Sequence, residues 1–410
     1  MTTERAALAP LLLGTLSALY FLQGLPAGLL AEAVPSLGRE SGLSREWIGL
    51  AGLAAVPWVL KFLWAPWVDR LGRGGADHRK RWILACQALV ILVLLALAVG
   101  ERAFWFGAGF PLLLAVLLLL NAASATQDIA TDGLAVRLLR PSLRGPGNSV
   151  QVIGYKVGLM LSGGMLLIAT DWLGWRTTLL LMAALTLALL IPVLRFPEPL
   201  EQVPMPARRQ GGWRMFTGFW RRPGLGLWAV LLIGYKIGDG FGSRMIKPFL
   251  VDQGWSQTAI GQLDLVSSMA GLGGALLGGV SLLWLSRRAG LIGFGLLQAL
   301  AFVAWAAAAR GSGDWIWPAA LFEQFADGLS TVALFVVMMD YCRRDSEGTD
   351  YTLQASLFPL AAGLFTLVSG FSASALGYGG HFLLAAALGG LVIIAALFWT
   401  PLSDTRAETR

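Results

Sequence analysis

Long apolar stretches separated by short polar segments dominate this chain. Twelve of them approach or exceed the roughly 20 residues that cross a bilayer as a helix. They lie near 9–37, 47–68, 82–99, 108–137, 148–170, 175–194, 224–251, 258–283, 290–309, 316–341, 351–376 and 381–400. The apolar positions run on without alternation, as in Ala88–Val99 and Phe110–Leu120. That pattern predicts transmembrane helices, because barrel strands would alternate lipid-facing and lumen-facing residues. Several spans exceed the bilayer thickness, which predicts tilt or kinks.

Composition agrees with the pattern. Hydrophobic residues make up 56% of the 410 positions and charged residues 13%, about half the ~25% of soluble domains. A soluble fold and a disordered chain are both excluded. The sequence Ala31-Glu32-Ala33 resembles a cleavage site, but the apolar stretch before it is longer than a signal segment, so it is read as part of the first span. Two cysteines and two histidines give no disulfide framework and no metal site. His78 and His381 fall in a loop and at a distant helix end, leaving no nucleophile–base pair. The expectation is a non-enzyme without cofactor or metal.

The net charge of +7 is explained by topology rather than by a nucleic-acid partner. With the N-terminus inside, 21 of the 31 lysines and arginines fall on cytoplasmic segments and five, Arg39, Arg45, Arg102, Arg176 and Arg310, on the opposite face. This bias predicts that both termini are cytoplasmic.

The longest polar segment between spans, 195–222, carries four prolines and six arginines. It divides the chain into an N-terminal six-helix half (1–197), a cytoplasmic linker (198–222), a C-terminal six-helix half (223–402) and a cytoplasmic tail (403–410). The halves repeat one another. Ser41-Gly42-Leu43-Ser44 followed by Ile48-Gly49 returns as Gln253-Gly254-Trp255-Ser256 followed by Ile260-Gly261, and Ser44 and Ser256 are suited to N-cap the next helix. Asp128-x-x-x-Asp132-Gly133-Leu134 returns as Glu323-x-x-x-Asp327-Gly328-Leu329. The expected fold is an all-α membrane protein of twelve transmembrane helices in two six-helix halves. A same-sense repeat of this kind is the pattern of major facilitator transporters, whose site lies between the halves.

Twelve ionisable residues fall inside the spans: Glu32, Lys61, Asp128, Asp132, Lys156, Lys236, Asp239, Arg244, Lys247, Asp264, Glu323 and Asp327. A charge at a helix centre costs ~2.5–3.5 kcal/mol to insert, so such groups face the bundle interior and mark pathways. Asp128 and Asp132 share a helix face, with Lys61 and Lys156 at similar depth. These four are candidates for proton coupling or, equally, for a static ion-pair lock. Lys236, Asp239, Arg244, Glu323 and Asp327, with the polar Gln23 of the first span, are candidates for substrate binding; a closed internal charge network is the alternative. The first and seventh spans are rich in breakers (Gly24, Pro26, Gly28, Pro35; Gly234, Gly238, Gly240, Gly242, Pro248), which suits either cavity-lining helices or close packing. Gly271, Gly274 and Gly278 have the spacing of a packing stripe. Trp58, Trp228 and Trp305 lie deep enough to stack on an aromatic ligand.

The loop Ala65-Pro66-Trp67-Val68-Asp69-Arg70-Leu71-Gly72-Arg73 resembles the major facilitator signature G-x-x-x-D-R-x-G-R, with Ala65 in place of the first glycine. The resemblance implies that Asp69, Arg70 and Arg73 form a conformational latch. The corresponding loop of the second half keeps only Arg287 and Arg288, and no second latch is assigned to it. Tyr20-Phe21-Leu22-Gln23-Gly24-Leu25-Pro26, Lys61-Phe62-Leu63-Trp64-Ala65-Pro66, Gln127-Asp128-Ile129-Ala130-Thr131-Asp132-Gly133 and Gly154-Tyr155-Lys156-x-Gly158 resemble one branch of that superfamily. The branch holds muropeptide permeases of the AmpG type and siderophore permeases of the RhtX/FptX type, and the length and span number are more similar to the latter. The resemblance implies a monomeric bacterial inner-membrane transporter working by alternating access. It would import an iron–siderophore complex of the pyochelin kind from periplasm to cytoplasm with protons, a muropeptide being the alternative substrate.

Overall fold

A computed structural model describes residues 2–72, 75–199, 212–222, 224–311 and 314–401. Among them every regular element is helical, and ten stretches are long and apolar enough to cross a membrane. The difference from the twelve expected spans has two physical sources. The seventh span is three short helices, Leu225–Gly234, Ile237–Ser243 and Ile246–Asp252, none long enough to cross by itself. Its glycines tolerate the breaks that interrupt it at Lys236 and Met245. The eleventh and twelfth spans run as one element, Glu347–Phe398, broken only at Gly377 (φ 67°, ψ 168°). That positive φ is open to glycine without steric cost.

The breaker-rich first span stays helical but changes hand-hold. Thr2–Gly28 passes through a π-helical turn, Leu29–Ala33, into Val34–Glu40. A second π turn, Leu161–Met165, follows the helix Arg144–Met160. A Cβ on Gly163 would meet the Glu32 carboxylate, and one on Gly24 or Gly158 would meet the facing backbone. The small residues therefore serve close approach of these two helices. The second span alternates α and 3-10 turns from Arg45 to Arg70. Pro57 and Pro66 lack the N–H that an unbroken α-helix would need there.

The internal repeat is visible in backbone geometry. Gly42 (φ 85°) and Gly254 (φ 78°) both end a helix in the left-handed region. In each copy the next residue closes a Schellman bond, Leu43 N–H to Gly38 at 2.9 Å and Trp255 N–H to Leu250 at 3.0 Å. Ser44 then accepts from Trp47 N–H, and Ser256 from Ala259 N–H, so both serines cap the following helix as expected.

The chain forms two compact units. One comprises 1–138, 153–215 and 343–352; the other comprises 139–152, 216–342 and 353–410. They depart from a simple division at the linker, since 139–152 and 343–352 each pack with the other half of the sequence. Residues 200–211 of the expected linker and the whole of the expected tail, 403–410, lie outside the described residues. Gly212–Trp220, within the polar segment, is a helix that buries Met215 and Phe219.

In the second unit an aromatic core of Phe241, Phe249, Phe302, Trp305 and Phe382 holds the broken helices in place. Small residues join the long ones: Gly274 faces the Phe325 carbonyl, Gly278 lies against Leu329, and Gly328 faces the Gly271 carbonyl. This is the packing stripe that the spacing predicted.

Candidate functional site

Intramembrane and membrane-edge polar residues are gathered into two groups in the first unit and three in the second.

In the first unit Lys61 is ion-paired with Asp128, both nearly inaccessible. The 3-10 turn Lys61–Leu63 presents the ammonium to the helix Phe110–Leu138. Trp58 lies 5.3 Å from Lys61, over which its ring provides a cation–π contact, and donates its indole N–H to Asn121 at 3.0 Å. One turn on, Asp132 accepts a hydrogen bond from the Tyr20 hydroxyl at 2.9 Å and shares a helix face with Asp128. Cation, two acids and phenol are thus gathered in one buried cluster. Lys156 is half-buried in the helix Arg144–Met160. Gln23 is 2% exposed, and its amide nitrogen has no hydrogen-bond partner among the described residues. Tyr20 stands in the motif beside Gln23 but was not singled out by sequence; only its reach to Asp132 gives it a role.

At the signature loop Asp69 caps a helix. Its carboxylate accepts from the Gly348 N–H at 3.3 Å, the Thr349 N–H at 2.6 Å and the Thr349 hydroxyl at 2.7 Å. These are first-turn donors of Glu347–Phe398, where a negative charge also complements the helix dipole. Arg79 bridges Glu347 at 3.0 Å and lies 3.7 Å from Asp69. The arginine in this cluster is thus Arg79. Arg70, half-buried at the end of Ala65–Arg70, makes no ion pair or hydrogen bond among the described residues, and Arg73 lies outside them. Glu347 and Thr349 are far from Asp69 in sequence, so the motif alone could not name them. In the second unit Asp340, at a helix C-terminus, is paired with Arg144 and, at 2.9 Å, with Arg287. Arg287 therefore has a matching ion pair, which the sequence reading did not assign.

The central acids and bases of the second half separate into two sets. Lys236 occupies the first break of the seventh span and is 6% exposed. Its ammonium reaches Asp327 at 2.7 Å, the Ser330 hydroxyl at 2.7 Å and Asp239 at 3.5 Å. Gln298 donates to Asp239 at 3.1 Å, and Thr331 to Asp327 at 3.2 Å. All three ammonium protons are used, as in a closed network. Arg244 and Glu323 instead line a cavity of about 710 Å³, with Lys247, Asp264, Gln324 and Trp305. That volume falls within the ~300–1,000 Å³ usual for small-molecule sites. Trp305, one of the three deep tryptophans, lines this cavity. Trp228 stacks on Tyr341 at 4.8 Å and bonds Gln354 instead.

A helical membrane fold with buried charge networks and a solute-sized cavity has the features of a solute transporter. The Major Facilitator Superfamily profile matches residues 16–365, and the chain belongs to that superfamily. It is 29% identical over 393 residues to the anhydromuropeptide permease of Escherichia coli, covering 92% of this chain and 77% of that one. Its fold is similar to that of the human organic anion transporter TETRAN (TM-score 0.70, 17% identity, 94% of this chain and 99% of that one). It is likewise similar to the E. coli fucose:proton symporter FucP (TM-score 0.70, 16% identity, 95% and 98%).

Proposed function

We propose that this protein is a bacterial inner-membrane permease for anhydromuropeptides, carrying them from periplasm to cytoplasm by alternating access. The observation that carries the reading is the similarity to the E. coli anhydromuropeptide permease over 92% of the chain. It favours the muropeptide alternative over the siderophore substrate inferred from length and span number. The motifs that suggested the branch occupy the Lys61–Asp128–Asp132 cluster and the Asp69 cap, which both kinds of permease would use. They do not line the cavity of the second unit, where a substrate would be chosen.

In this reading the chain crosses the membrane twelve times, with the seventh span broken and the last two joined at Gly377, both termini are cytoplasmic, and the protein works as a monomer. Protons drive uptake through Asp132, while Lys61 balances the charge of Asp128. Asp69 holds the start of Glu347–Phe398 in one state and releases it in the other.

The test is uptake of labelled anhydromuropeptide and of ferri-pyochelin in cells lacking the protein and in complemented cells, with and without a protonophore. Restored, protonophore-sensitive muropeptide uptake with unchanged iron uptake is the expected result. Restored iron uptake alone would return the siderophore reading.

A further inference from the structure

The cavity of the second unit carries one cation that makes no direct contact with a partner among the described residues. Lys247 and Asp264 pair with each other at 3.1 Å. Glu323 accepts from the Gln324 amide at 3.0 Å. Arg244 lines the same cavity and is exposed to it, yet has no ion pair and no hydrogen bond among the described residues. It sits at the second break of the seventh span, immediately after the helix Ile237–Ser243. A second donor is Trp305, which is 1% exposed, lines the cavity, and has an indole N–H without an acceptor among the described residues.

We propose that Arg244 binds a carboxylate of the transported solute. A guanidinium presents paired N–H donors in a fixed plane that matches a carboxylate, and the bonds are charge-assisted. Inside a cavity walled partly by apolar side chains such a contact is screened less than in open water. The other wall cation, Lys247, is already paired with Asp264, which leaves Arg244 as the wall cation without a direct partner among the described residues. Trp305 supplies an apolar face beside the anchored group. This inference rests on the muropeptide reading and deepens it: a peptide ends in a carboxylate, so the peptide portion of an anhydromuropeptide would be held at Arg244, leaving the sugar portion to the rest of the cavity.

The experiment is calorimetric binding to the purified full-length protein. The probes are an anhydromuropeptide with free peptide carboxylates and the same compound with those carboxylates converted to amides. The wild type is expected to bind the acid at least about tenfold more tightly than the amide, the lower end of what hydrogen bonds to charged groups contribute. Arg244→Gln is expected to erase that preference, lowering affinity for the acid by more than for the amide. Arg244→Lys is expected to restore only part of it, because a lysine cannot make the bidentate contact. Thermal melting of each variant in the same detergent checks that it is folded. Equal binding of acid and amide by the wild type, or a preference that survives Arg244→Gln, overturns the role of Arg244 and leaves the muropeptide reading standing. Binding of neither probe to the wild type overturns both.

Discussion

The carboxylate of Asp69 accepts hydrogen bonds from both the backbone N–H and the side-chain hydroxyl of Thr349, at 2.6 and 2.7 Å, across 280 positions of chain. The signature acid of one loop thereby becomes the N-cap of a helix that begins in the same compact unit and continues into the other. A cap made by a distant residue can be broken without unfolding the helix it closes. That is what a latch requires.

Asp69→Asn removes the charge and keeps the size of the side chain. Charge-assisted hydrogen bonds contribute about 1.5–3 kcal/mol each, so the latched state loses at least one such bond. Uptake in cells should fall about tenfold or more at equal membrane expression, and Thr349→Val should give a smaller loss. Wild-type uptake by Asp69→Asn would show that the cap is structural ornament only.

Lys236 sits between Asp327 and Asp239 with all its protons engaged. Removing one partner of a buried pair costs ~3–5 kcal/mol, because the other charge is left uncompensated. Lys236→Met should therefore lower the melting temperature markedly in detergent. Lys236→Met combined with Asp239→Asn and Asp327→Asn should recover most of the loss, since no unpaired charge remains. Fluorescence-detected size exclusion after heating measures both. If the triple variant melts as early as the single one, the network is not closed in the way its distances indicate.

Asp132→Asn cannot exchange a proton but can still hydrogen-bond Tyr20. It should abolish uphill accumulation of solute while preserving exchange of labelled for unlabelled solute across preloaded vesicles. Loss of both activities would place Asp132 in folding or binding rather than in coupling, and retention of both would remove it from transport.

Glycines of the eighth span separate packing from tolerance. A Cβ at Gly274 would run into the Phe325 carbonyl, whereas one at Gly273 meets nothing within 4 Å. Gly274→Val should fail to reach the membrane as a folded protein, and Gly273→Val should express and transport normally. Equal expression of the two would mean that the helices Gln257–Ser281 and Ile316–Asp340 approach less closely than described.

Much of the molecule is set by sequence because the bilayer leaves few choices. Unbroken apolar runs must become helices, since every backbone polar group needs an internal partner there. Gly42 and Gly254 each stop a helix because only a left-handed residue fits the turn that ends it, and Ser44 and Ser256 restart the next one by capping it. These are local effects within a few residues, and the repeat carries them from one half to the other. Intramembrane acids and bases also announce themselves, because each is costly unless it has a partner.

Which partner each charge finds is decided by tertiary structure alone. Lys61 with Asp128, Asp69 with Thr349 and Arg144 with Asp340 join positions far apart in the chain. Lys236 and Arg244 look alike in sequence, eight residues apart on one broken span. Packing closes the first in a ring of donors and acceptors, and two breaks in the helix turn the second toward a cavity. No local rule separates them, because the difference lies in what the neighbouring helices place opposite each charge.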